Sequence, residues 1–78
     1  MKGGSLIMDR KYVDSSMITS IGYDEESAIL EIEFKSNTQV WQYFDVPAYI
    51  WYEFESAPSQ GKYWHANIKN KYAENRIQ

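Results

Sequence analysis

An α+β domain is predicted, a three-stranded antiparallel β-meander followed by two short helices packed on one face. Three observations carry this. ILEIEF, residues 29–34, alternates apolar and acidic residues with period two. Asp45-Val46-Pro47 is a helix-start signal, and apolar residues recur beyond it at spacings of four, four and three. Between these signals the chain passes once from strand chemistry to helix chemistry, with no internal repeat, linker or low-complexity segment.

The first strand is read at Met17–Tyr23, from its β-branched and aromatic content. Asp24-Glu25-Glu26-Ser27 follows as a polar turn. Three consecutive acids lack the spaced ligands of a calcium loop. In the second strand Leu30, Ile32 and Phe34 form a dry face, and Glu31 and Glu33 are expected to face water. Paired carboxylates can do acid–base chemistry when one is desolvated, but regular alternation assigns these to solvent. Lys35-Ser36-Asn37-Thr38 makes the next turn, with Asn37 the best candidate for positive φ. Gln39–Phe44 is the third strand.

A tight turn centred on Ser36-Asn37 places Ile32 opposite Trp41 and Leu30 opposite Tyr43, so both rings join the core face. A loop one residue longer sends them to the other face. The reading adopted is core.

In the first helix Val46, Ile50, Phe54 and Ala57 share a face, flanked by Tyr49 and Trp51, and Asp45 is the expected cap. Pro58 stops it. Ser59 caps the second helix and Gly61 lets the backbone turn into it. There Trp64, Ile68 and Tyr72 form one stripe. Lys62, His65, Lys69 and Arg76 form a basic stripe beside it, provided the helix reaches residue 76 through Asn70 and Asn75.

Composition bounds the rest. With 78 residues the chain is one small domain, and a domain this size buries only about 60–65% of its unfolded surface. Aromatics, 17% of the chain, compensate with large buried areas. Absence of cysteine excludes disulfides, thiol nucleophiles and cysteine-ligated zinc. No apolar run approaches the ~20 residues of a membrane span, so no membrane partner is expected. The leading MKGGSLIM is too short for a signal peptide. Residues 1–8 are read as an unstructured extension, with Met8 a possible start, and 9–78 as the domain, in the cytoplasm.

Net charge is −3, which opposes nonspecific nucleic-acid binding by the whole surface. The distribution is asymmetric. Residues 9–60 carry ten acids and three bases, whereas 61–78 carry four bases and one acid. The body is acidic and the carboxyl end basic.

Ser15-Ser16, Ile21-Gly22-Tyr23-Asp24, Leu30-x-Ile32-x-Phe34 and Tyr43-x-x-Val46-Pro47, with Ala57-x-Ser59-x-Gly61-x-Tyr63-Trp64 and Ile68-x-x-x-Tyr72, together resemble the KTSC domain. That family is named for its occurrence at the C-terminus of some lysyl-tRNA synthetases, and it also occurs as stand-alone small bacterial and phage proteins. The resemblance spans about residues 12–76. Two positions depart from the pattern. The family's Tyr-x-Tyr is Trp41-Gln42-Tyr43 here, so an indole N–H donor replaces a hydroxyl. The asparagine usual after the aromatic pair is His65. The family has no established activity; fusion to a tRNA-charging enzyme implies RNA as a partner.

The expected function is therefore a non-enzymatic binding module without a cofactor. One reading is auxiliary nucleic-acid binding, RNA first, through Lys62, His65, Lys69 and Arg76, with Trp41, Tyr43, Trp64 and Tyr72 as aromatic contacts. The opposing reading of the stripe is a solvated helix face beside buried rings. For His65 it is a surface or capping histidine, since no second His or nucleophile partner is present for a metal site or triad. A further possibility is a protein partner or a homodimer. Seven tyrosines and three tryptophans exceed what this fold can hide, so some of Tyr12, Tyr49, Tyr52 and Tyr63 should be exposed.

Overall fold

The computed structural model describes residues 8–78; of the extension expected at residues 1–8, all but Met8 lies outside them. Five antiparallel strands form one sheet whose spatial order follows the chain: β1 (Lys11–Tyr12), β2 (Ile18–Asp24), β3 (Ile29–Phe34), β4 (Val40–Tyr43) and β5 (Glu74–Arg76). Helices α1 (Ala48–Glu55) and α2 (Gln60–Asn67) lie between β4 and β5. The α+β class and the central meander are as the sequence predicts. The two edge strands are additional. Each is short and polar, Lys-Tyr and Glu-Asn-Arg, with no alternation to mark it.

Register follows the predicted pairing, with Ile32 opposite Trp41 and Leu30 opposite Tyr43. The turn achieves it differently from expectation. Asn37 accepts the Gln39 N–H through its side chain at 3.0 Å, and Thr38 takes the left-handed backbone at φ 56°. In β2 a bulge at Thr19 shifts register between Ile18 and Ser20. Residues three apart on a regular strand point to opposite faces; the extra residue lets Ile18 and Ile21 both enter the core.

The core lies between sheet and helices. Ile18, Ile21, Leu30, Ile32 and Tyr43 come from the sheet, Ile50 and Phe54 from α1, Val46 and Ile68 from the helix flanks. Tyr23 stacks on Trp51 at 5.7 Å, and Phe34 meets Trp64 edge-on at 5.0 Å. Tyr23 also donates its hydroxyl to the Val46 carbonyl at 2.6 Å, fixing the entry to α1. Asp45 is not the cap: it has φ 58°, and Pro47 takes the N-cap position without a side-chain hydrogen bond. Tyr49 does not broaden the buried stripe; it is exposed, as are Tyr12 and Tyr52. Tyr63 is half-buried and donates to Glu53 at 2.7 Å.

The second helix stops earlier than its stripe implies. Ser59 caps it as expected, accepting the Lys62 N–H at 3.2 Å. Ile68 is the C-cap, and Asn70 adopts φ 63°, a left-handed conformation that ends helices. The chain then turns back to lay β5 against β4, with Arg76 opposite Trp41 and Glu74 opposite Tyr43.

The outer face of the sheet departs most from expectation. Glu31 does not face water; it is 1% exposed. The Met8–Arg10 segment crosses this face above Gly22, where an added Cβ would lie 2.8 Å from the Asp9 carbonyl oxygen. Only glycine leaves room for that approach. Arg10 pairs with Glu31 and donates to Ser20 Oγ at 2.9 Å. Ser20 donates to Glu33 at 2.8 Å, and Gln42 to the other Glu31 oxygen at 2.9 Å. The carboxylate is buried because its partners come with it.

Candidate functional site

The eight residues singled out from the sequence do not form one surface. Lys62 and His65 are exposed on α2, Lys69 lies in the turn after it, and Arg76 is on the edge strand β5. The continuous helical stripe is thus broken at Ile68, because the helix ends there. Tyr72 also lies off the helix, half-buried against the core, and burial, with Tyr49 nearby, raises its pKa.

Four of the eight converge elsewhere. Trp41, Tyr43, Trp64 and Lys69 line a cleft of about 390 Å³, together with Phe34 and Glu74. This volume is in the range of small-ligand sites. Strand β4 supplies Trp41 and Tyr43 from alternate positions, so both point to the helix side. Trp64 comes from α2 and donates its indole N–H to the Tyr43 hydroxyl at 3.1 Å. Tyr43 is buried, Trp41 and Trp64 half-buried. Burial pushes the Tyr43 hydroxyl up to about 12, against the lowering effect of the Trp64 hydrogen bond and with a smaller raising effect from Glu74. It is a neutral hydroxyl at ordinary pH.

Trp41 donates its own N–H to Gln39 at 3.2 Å, which orients the indole along the rim. The Lys69 ammonium lies 5.4 Å from the centre of the Trp64 ring, a cation–π contact. Cross-strand partners share a face, so Arg76 stands beside Trp41 on the helix side. Among the described residues, salt bridges to acids are made by Arg10 and Lys11 and by no base of the carboxyl-terminal segment. Glu74 is the carboxylate that shares a cleft with Lys69.

His65 meets Trp64 edge-on at 6.3 Å. Among the described residues no group of three or more His, Asp or Glu could hold a metal. No helix is long and apolar enough to cross a membrane, again among the described residues.

The KTSC domain family matches residues 14–72, three quarters of the chain. The chain belongs to the KTSC domain family. The matched span contains β2, β3, β4, α1 and α2, whereas β1 and β5 lie outside it. A lysine–tRNA ligase from Trichormus variabilis is 37% identical over 59 residues, covering 76% of this chain and 10% of the ligase. The chain thus spans about a tenth of the length of the ligases it matches. An uncharacterized protein from Stutzerimonas stutzeri is 34% identical over 65 residues, covering 83% of this chain and 90% of that protein. The crystal structure of a KTSC domain protein from Yersinia pestis superimposes with a TM-score of 0.87 at 39% identity, over 92% of this chain and all of that one. The domain therefore occurs within long synthetases and in small proteins of its own size.

Sequence reading of this KTSC domain missed the cleft as a unit. Glu74, Gln39 and Met17 are not singled out by the sequence pattern, and Glu31 and Glu33, held in the Arg10 network, read as a solvated face. Gly22 in mid-strand was the available signal for the crossing segment. Nothing comparable marks the return of β5.

Proposed function

We propose that this KTSC domain is a small binding module for single-stranded nucleic acid, RNA in the first place. The observation that carries it is the cleft of Trp41, Tyr43 and Trp64, to which the basic carboxyl-terminal segment contributes Lys69. Unpaired bases stack on exposed rings with little regard to sequence, and cations beside the rings hold the backbone. Lys69 and Arg76 are placed for that second role by the turn after α2 and by the β4–β5 register. The likeness to a segment of lysine–tRNA ligases supports the same reading, since those enzymes act on tRNA. The domain binds rather than catalyses, and its affinity falls as salt rises, because contacts of Lys69 and Arg76 with phosphates release counterions.

Fluorescence anisotropy of a labelled single-stranded RNA at low salt tests this. Trp41→Ala is expected to weaken binding about tenfold, the loss of one stacked base. Its circular dichroism should stay that of the wild type. No anisotropy change at low salt overturns the proposal.

A second reading, a protein-binding surface, is favoured by Tyr49 and Tyr52, both exposed on the outer side of α1. Capture of a protein that survives nuclease treatment and is lost in a Tyr49→Ala, Tyr52→Ala variant would support it.

A further inference from the structure

A second cleft adjoins the aromatic one. It holds about 340 Å³ and is lined by Ser16, Met17, Ser59, Gly61, Lys62 and His65. Met17 lines both clefts, so a single half-exposed thioether stands between them. Gly61 sets the position of this divider: a Cβ there would lie 3.3 Å from Met17 Cβ, tight enough to push the side chain over.

The two clefts differ in chemistry. The aromatic cleft has Phe34, Trp41, Tyr43 and Trp64 in its walls, one cation, Lys69, and one carboxylate, Glu74. The adjoining cleft has no carboxylate in its lining, and it offers the Lys62 ammonium, the His65 imidazole and the hydroxyls of Ser16 and Ser59. Consecutive residues on α2, Trp64 and His65, each serve one of the two. Stacking groups are thus separated from anion-binding groups by the width of one side chain.

We infer that the paired clefts take one step of a single strand, with a base in the aromatic cleft and the adjoining phosphodiester in the Lys62–His65 cleft. This rests on the nucleic-acid reading above and adds a ligand length and an orientation to it. Charge sets the orientation. Glu74 offsets the Lys69 charge in the aromatic cleft and accepts hydrogen bonds from the amino groups of a base. The adjoining cleft offers the Lys62 ammonium to the phosphate with a ring N–H of His65 beside it, and a charge-assisted hydrogen bond there is stronger than a neutral one. The ligand class is a phosphodiester-linked oligonucleotide, as opposed to a free base or nucleoside.

The test is an NMR titration of the isotopically labelled chain with adenosine, with the dinucleotide ApA and with the tetranucleotide of adenosine. The same titrations are repeated on a Lys62→Glu, His65→Ala double variant, both positions being exposed. ApA is expected to bind about tenfold tighter than adenosine, the gain of one charge-assisted contact. The double variant should remove that gain and leave adenosine binding unchanged. Equal affinities of adenosine and ApA for the wild type overturn the inference, as does a double variant that weakens both ligands alike. In either case the tetranucleotide still moves the Trp41 and Trp64 indole resonances, and the nucleic-acid reading stands. If the tetranucleotide moves neither indole, that reading falls and the inference with it.

Discussion

The two faces of the sheet are covered by different means. On one, α1 and α2 lay Ile50, Phe54 and the flanking Ile68 over Ile21, Leu30 and Ile32, and the contact is apolar. On the other, the Met8–Arg10 segment lays a guanidinium over Glu31, Glu33 and Ser20, and the contact is a hydrogen-bonded network. Apolar packing stabilises through area and shape, and degrades gradually when a group is trimmed. A buried charge network stabilises only while every member is present, because each removal strands a partner out of water. Similar burial at Ile32 and Glu31, neighbours on one strand, therefore reflects different causes.

This contrast can be broken by substitution. The largest effect is expected from Phe54→Ala on the helix face, about 3–5 kcal/mol by denaturant unfolding. That is a large share of the stability available to a domain of this size. Next is Arg10→Ala on the outer face, about 3 kcal/mol, because Glu31 is left buried without its guanidinium partner. A combined Arg10→Ala, Glu31→Leu variant should recover part of that loss, whereas no second change of similar kind would rescue Phe54→Ala. If Arg10→Ala costs nothing, the outer network is ornamental and the comparison fails.

The smallest effect concerns alkaline pH and sharpens the helix-face side. The folded pKa of Tyr43, about 12, lies above the ordinary value of 10.0 because its hydroxyl is buried. The folded state then holds a proton that the unfolded state releases, so the contribution is fully present below pH 10.0. It is lost as pH rises from there through about 12. Burial raises Tyr23 and Tyr63 in the same direction, the latter helped by its hydrogen bond to Glu53. Thermal melts should show stability falling above pH 10, and less steeply in Tyr43→Phe.

The same contrast explains what could be read from the chain. Leu30, Ile32 and Phe34 were legible as a dry face because alternation reports burial against apolar groups. The register that buries Tyr43 followed from turn length, even though Thr38 took the conformation expected of Asn37. Glu31 was not legible, since alternation cannot tell a carboxylate facing water from one facing Arg10 across a distant segment. Helix α2 was found from its start signals, but its end was overrun. The spacing of Trp64, Ile68 and Tyr72 mimics a helix, although Ile68 is the cap and Tyr72 packs after a turn. Of the candidate site, residue types were legible and their grouping was not. Trp41 and Trp64 come to line one cleft only when α2 is laid on β4, a long-range event with no local trace.

Strand order that matches chain order has a kinetic corollary. Each of the first three pairings joins neighbours along the chain and closes a short loop, so the meander can zip outward from the β2–β3 hairpin at little entropic cost. The β4–β5 pairing must wait for both helices to dock. Assembly of the groove walls contributed by the last strand is therefore expected as the final folding event, and their release as the first event of unfolding.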